Sequence, residues 1–145
     1  MPSAANFSRR EAERLAALTF FLDYQIGRYV VAEALRNAGA RVEVHIDHFS
    51  QAAPDLEWIP EVGRRDWVLI TKDSNIRRNP LERSAYKAAR LRGSAALWSP
   101  ARIWVVQTSL VCWLSSLTGM VRRSHGRPGP FLFTVSRGGV FKKLL

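Results

Sequence analysis

Trp67-Val-Leu-Ile-Thr-Lys-Asp73 runs through four apolar side chains and a threonine before it meets charge. The run is too short for a helix and lacks the apolar–polar alternation of a half-solvated strand. A continuous apolar run of this length reads as a strand buried on both faces, as in a parallel sheet covered by helices. Leu18-Thr-Phe-Phe-Leu-Asp23 repeats the pattern, with an acid where the strand exits.

Outward from these two runs, helix and strand patterns alternate. Ser8 and Glu11 have capping-box spacing, which predicts a short helix to about Ala17. Gly27 to Ala38 reads as a helix on Val30, Val31, Ala34 and Leu35, closed by Gly39. Arg41 to Ile46 alternates and predicts a strand. Pro54 favours a helix start over Asp55 to Val62, and Pro80 opens another to about Arg90, stopped by Gly93. Ser94 to Trp98 reads as a short strand, and Ala101 to Arg123 as a long helix. After the loop His125 to Pro130, Phe131 to Val135 and Val140 to Leu144 flank Arg137-Gly-Gly139, a hairpin pattern. Such alternation predicts an α/β fold: a mostly parallel central sheet, helices on both faces, and a C-terminal β-hairpin. No repeat or linker divides it. One domain over 1–145 is expected, with 1–17 a helical extension and 18–145 the core.

The net charge of +10 points to an anionic partner. Its distribution sharpens this. All twelve acids lie before residue 83, and the eleven Lys and Arg after residue 82 have no acid among them. The single cysteine, Cys112, excludes an internal disulfide framework and a cysteine-rich zinc site. Residues 103–121 carry no charge. Their large apolar side chains recur at helical spacing opposite a polar face, so an amphipathic helix is favoured over a membrane span. Arg9 to Arg14 is charged where a signal peptide would be apolar, which leaves a cytoplasmic location as the expectation.

Ligands of open parallel sheets bind beyond the carboxyl ends of the strands. Asp23, Asp73 and the Asp55–Glu57 region fall at such ends or in the segments after them. Carboxylates held together repel and raise each other's pKa. Mg²⁺ or Mn²⁺ relieves that repulsion, using one or two carboxylates plus waters. Asp55 and Glu57 compete as the middle ligand, with Asp55 preferred; helix-dipole compensation is the alternative for both, and for Glu82 after Pro80. Glu43, Asp47, Glu61 and Asp66 read as surface or turn residues. His45, Asp47 and His48 lack a convincing third-ligand spacing for a transition metal. Arg77 and Arg78 follow Asp73 and could neutralise a phosphate.

Phe20-Phe-Leu-Asp23, Gly27 with a helix ending at Gly39, Val42 to Asp47, Asp55-Leu-Glu-Trp58-Ile and Trp67 to Asp73 together resemble the PIN-like domain family. Thr71-Lys-Asp73 with Asn79-Pro-Leu-Glu82 behind it, and Gly129-Pro-Phe131 before a short hairpin, narrow the resemblance to VapC-type toxins. It covers about residues 19 to 144. It implies a three-layer α/β/α fold and a Mg²⁺- or Mn²⁺-dependent ribonuclease. The first acid of the family maps to Asp23, its Thr-x-Asp acid to Asp73, and its middle acid to Asp55 or Glu57. A later acid of the family is either supplied by Glu82 or missing, because none follows residue 82. The resemblance also implies an antitoxin partner and a homodimer.

The leading expectation is a metal-dependent endoribonuclease, the toxin of a toxin–antitoxin pair, with Asp23, Asp55 and Asp73 as catalytic acids. Arg122, Arg123, Arg127, Arg137, Lys142 and Lys143 are expected to hold the RNA backbone. The alternative is a catalytically inactive RNA- or partner-binding module on the same fold, which the missing late acid favours.

Overall fold

The computed structural model describes residues 8–26, 29–71, 79–96, 116–136 and 140–143. Six strands form one sheet: β1 (Thr19–Leu22), β2 (Arg41–Val44), β3 (Val68–Thr71), β4 (Arg92–Ala96), β5 (Phe131–Val135) and β6 (Phe141–Lys143). Their order is β2-β1-β3-β4-β5-β6. The first five are parallel, and β6 runs antiparallel to β5. The helices are α1 (Arg9–Ala16), α2 (Val30–Asn37), α3 (Asp55–Arg64) and α4 (Pro80–Ala88), with α5 over 116–124.

Strand side chains alternate between the two faces, and the two apolar cores follow that alternation. Phe20, Leu22, Val68 and Ile70 pack with Leu15 of α1, Val31 and Leu35 of α2, and Leu117, Met120 and Val121 of α5. Phe21, Leu69 and Leu132 pack with Trp58, Ile59 and Val62 of α3 and Tyr86 of α4. Helices therefore cover both faces, and the fold is α/β in three layers. Each fully buried large apolar side chain contributes about 1.5–3 kcal/mol, and β1 places Phe20, Phe21 and Leu22 at zero exposure.

Local sequence accounts for the element ends. The Ser8–Glu11 capping box is formed in both directions. The side chain of Asn79 accepts from the backbone N–H of Leu81 and Glu82 and caps α4, with Pro80 in its first turn. Two expectations are corrected. Gly93 does not stop α4; it lies inside β4. A Cβ there would stand 3.0 Å from the Leu69 carbonyl and 3.1 Å from Leu132 Cδ1, so close packing between β3 and β5 requires the glycine. The stop is made instead by Arg90 in the left-handed region, at φ 53°. β2 ends at Val44, two residues early, because His45–Asp47 turn into a short 3₁₀ helix. α2 begins at Val30 and α3 continues past Pro60 to Arg64. Most of the predicted helix from Ala101, together with Leu97, Trp98, Cys112, Arg137 and Leu144, lies outside the described residues. Among the described residues no helix is long and apolar enough to cross a membrane.

Candidate active site at the carboxyl ends of β1 and β3

The chain leaves β1 for β2 on one side and returns to β3 on the other, with α2 and α3 on opposite faces. Such a reversal opens a crevice beyond the carboxyl ends of the two central strands. Asp23 is the first residue after β1. Its backbone N–H donates to the Ile70 carbonyl at 3.0 Å, which ties the exit of β1 to β3. Thr71, the last residue of β3, donates its hydroxyl to Asp23 Oδ2 at 2.8 Å. The backbone N–H of Tyr24 lies near enough to the Asp23 carboxylate to favour its charged form.

Burial pushes the Asp23 carboxyl above its ordinary range, and the nearby Asp55 charge pushes it the same way. The hydrogen bonds from Thr71 and Tyr24 and the nearby His45 oppose that rise without cancelling it. Among the described residues, no arginine or lysine takes part in this balance. A half-buried carboxylate near a second carboxylate, with no arginine or lysine beside it among the described residues, carries a burial cost that a bound cation would offset.

Asp55 opens α3 and is half-buried. Trp58 Nε1–H donates to Asp55 Oδ1 at 3.0 Å, and the indole is itself buried in the α3-side core. One oxygen of Asp55 is thereby fixed. Glu57 lies two residues further along the same helix, about 200° around its axis, and is exposed. Asp55 therefore senses Asp23, and Glu57 turns away. Glu82 is half-buried in the first turn of α4, which begins on the same edge of the sheet after β3. Asp73, Arg77 and Arg78 lie outside the described residues.

The two histidines near Asp47 part company. His48 Nε2 meets Glu43 Oε2 at 2.7 Å on the surface. His45 is 3% exposed, its Nδ1 has no hydrogen-bond partner, and its ring sits among Phe21, Tyr24, Phe49 and Trp58. Glu61 pairs with Arg64 and Arg65, and Asp66 with Arg92, as surface and turn acids do.

The described basic residues singled out from sequence, Arg122, Arg123, Arg127, Lys142 and Lys143, lie on α5, the loop after it and β6. Arg122 reaches Glu11 at 3.5 Å. The Arg123 guanidinium lies 3.9 Å above the Phe141 ring, and that of Arg127 lies 5.5 Å from the Phe133 ring. Lys142 and Lys143 are exposed on β6. β6 stands four strand positions from β1, roughly 19 Å at the usual strand spacing. Arg127 lines a cleft of about 660 Å³ with Arg90, Arg92 and His125, at the amino edge of the sheet, opposite Asp23. None of these described cations is paired with Asp23 or Asp55.

Among the described residues, no three His, Cys, Asp or Glu side chains converge into a complete metal cage. The donor chemistry nonetheless fits a hard divalent cation. Asp23 and Asp55 supply carboxylate oxygens under mutual repulsion, with the Thr71 hydroxyl between β3 and Asp23. The supporting roles of Thr71, Trp58 and Tyr24 were not singled out from sequence. The one available signal was a threonine closing an otherwise aliphatic strand.

Two comparisons with known proteins agree with this architecture. Residues 18–94 match the family model described as "PIN like domain". The chain is 30% identical over 129 residues to a Mycobacterium tuberculosis protein named "Putative ribonuclease VapC45", covering 86% of this chain and 90% of that protein. No solved structure matches the chain significantly. The sheet order, the acid at the exit of β1 and these two matches lead to one conclusion: the chain belongs to the PIN-like domain family, as a VapC-type member.

Proposed function

We propose that the chain is a Mg²⁺- or Mn²⁺-dependent endoribonuclease, the toxin of a toxin–antitoxin pair, that hydrolyses RNA phosphodiester bonds. One observation carries this reading: Asp23 is held by Thr71, half-buried and without an arginine or lysine beside it among the described residues, near Asp55 at the sheet's reversal point. The name of the tuberculosis relative supports the ribonuclease assignment. Asp23, Asp55 and Asp73 are the residues that would hold the ion, with Glu82 as a further acid on the same edge. A bound ion of this kind lowers the pKa of a water and offsets charge building on a phosphate.

The protein's own part is positioning. Thr71 fixes one oxygen of Asp23, and Trp58 fixes one oxygen of Asp55, so each carboxylate keeps its second oxygen free of that bond. The apolar floor beneath them, Phe21 and Trp58, lowers the local dielectric and strengthens every charge interaction at the edge. The partners in this reading are RNA, a small antitoxin protein and a second copy of the chain, and the setting is the cytoplasm.

The test is cleavage of a single-stranded RNA by purified protein with Mg²⁺, Mn²⁺ or EDTA. Cleavage with either metal and none with EDTA is expected. Asp55→Asn should lower the rate by about 10–100-fold, the usual cost of disturbing a metal site, whereas Glu57→Gln should stay within about two-fold of wild type because a surface substitution leaves the site alone. Equal damage from both would move the middle-acid role away from Asp55. The lack of any acid after residue 82 favours a second reading, an inactive binding module. RNA binding without cleavage in either metal would establish it in place of the enzyme.

A further inference from the structure

Six large apolar side chains are exposed among the described residues: Tyr24, Tyr29, Val30, Leu56, Leu81 and Val140. Five of them lie on the carboxyl edge of the sheet. Tyr24 directly follows Asp23. Tyr29 and Val30 stand at the start of α2, Leu56 lies beside Asp55 in the first turn of α3, and Leu81 lies beside Glu82 in the first turn of α4. Isolated apolar residues on a surface need no explanation. Their gathering around one pair of carboxylates does.

Resting on the ribonuclease reading above, we propose that Tyr24 is a stacking platform for an unpaired base of single-stranded RNA, next to the phosphate brought to Asp23. One ring contact seats Tyr24 against the core. Its ring meets that of His45 at 5.9 Å and 73°, and His45 is walled in by Phe21, Phe49 and Trp58. With 43% of the residue still exposed, an aromatic side chain lies at the surface one residue from the acid. Aromatic rings of this kind bind bases without sequence preference, because every base has a π-face. Bases inside a helix are stacked on their neighbours and cannot reach such a ring, so the platform selects unpaired substrate. The charge of +10 favours a polyanion as the occupant. Tyr29, Leu56 and Leu81 extend the same rim and would contact flanking nucleotides.

The test measures binding in the Asp23→Asn background, where RNA is not consumed, with a labelled single-stranded oligoribonucleotide and the same strand in a duplex. Tyr24→Ala should weaken single-strand binding by about 5–150-fold and leave duplex binding unchanged. Tyr24→Phe, which keeps the π-face, should stay within about two-fold. Unchanged single-strand affinity in Tyr24→Ala, alongside intact cleavage by the otherwise wild-type chain, would overturn the stacking role alone and leave the rim to a protein partner. An equal loss for duplex and single strand would also overturn it. Failure of the Asp23→Asn parent to bind RNA, with no cleavage by wild type, would remove the ribonuclease reading and this inference together.

Discussion

Asp23→Asn should lower the initial rate of RNA cleavage by roughly 10²–10³-fold at saturating RNA and Mn²⁺, the scale seen when one charge-stabilising group is removed from a reacting centre. The change keeps the shape of the side chain. An amide oxygen can still accept from the Thr71 hydroxyl, and the Asp23 backbone N–H still donates to the Ile70 carbonyl, so the exit of β1 stays in place. What is removed is the negative charge. The same variant should therefore be more stable than wild type when divalent metal is absent. The Asp23 carboxyl is raised in the folded protein, chiefly by burial. A raised carboxyl favours the folded state below its unfolded value, and that advantage is lost as pH rises through the folded value. The asparagine has no such loss. Its melting temperature should exceed that of wild type at neutral pH when divalent metal is absent. The gap should close as pH falls below about 3.9, the ordinary aspartate value. Rates by gel assay and melts by circular dichroism with EDTA read the two effects separately. A variant that is slow but less stable than wild type would mean that Asp23 is structural, and full activity would remove it from the site.

Phe21→Ala should cost about 3–5 kcal/mol of folding stability. Phe21 is at zero exposure in β1, and four rings surround it. Trp67 stacks on it at 5.7 Å and 14°, and Trp58, Phe49 and His45 lie within 6.1 Å. Aromatic pairs add about 0.5–1.5 kcal/mol each beyond their buried area. These neighbours come from the 3₁₀ turn after β2 and the loop behind it, from α3, and from the residue before β3, so no single one can move in to fill the space. Against a typical total of about 5–15 kcal/mol, the loss is about a fifth or more. Urea denaturation should show the midpoint falling sharply, with a drop in melting temperature of roughly 6–20 °C. Phe21→Leu, which keeps most of the volume, should lose less than half as much. A loss below about 1 kcal/mol in the alanine variant would show that this face of the sheet is not closely packed.

The strands at the centre of the sheet were legible because burial on both faces leaves a continuous apolar run, as in Phe20-Phe-Leu22 and Val68-Leu-Ile70. Pro80 at the start of α4 and the capping box of Ser8 and Glu11 at α1 announced their helices locally, while the Asn79 cap of α4 was not read from sequence. Gly93 misled because glycine stops helices and also admits close strand packing, and only the register between β3 and β5 tells the two apart. Asp23 could be placed from sequence because an acid after an apolar strand has few other uses. Asp55 and Glu57 could not be separated, since the difference lies in a Trp58 indole bond and a turn of helix. The cations of the last third were legible as a charge excess but not as a location. A linear count cannot reveal that β6 lies four strands from β1.

The bond from Thr71 to Asp23 joins residues 48 apart in the chain. Parallel strands in this order pair only after long segments have closed, and such topologies fold slowly compared with those built from local contacts. The proposed centre therefore does not exist in any isolated segment. A nascent chain that has emerged only through α3 carries Asp23 and Asp55 but not β3, and its acids have nothing to hold them in register. Refolding experiments should accordingly recover helical signal before they recover activity, with the catalytic edge completed when β3 docks beside β1.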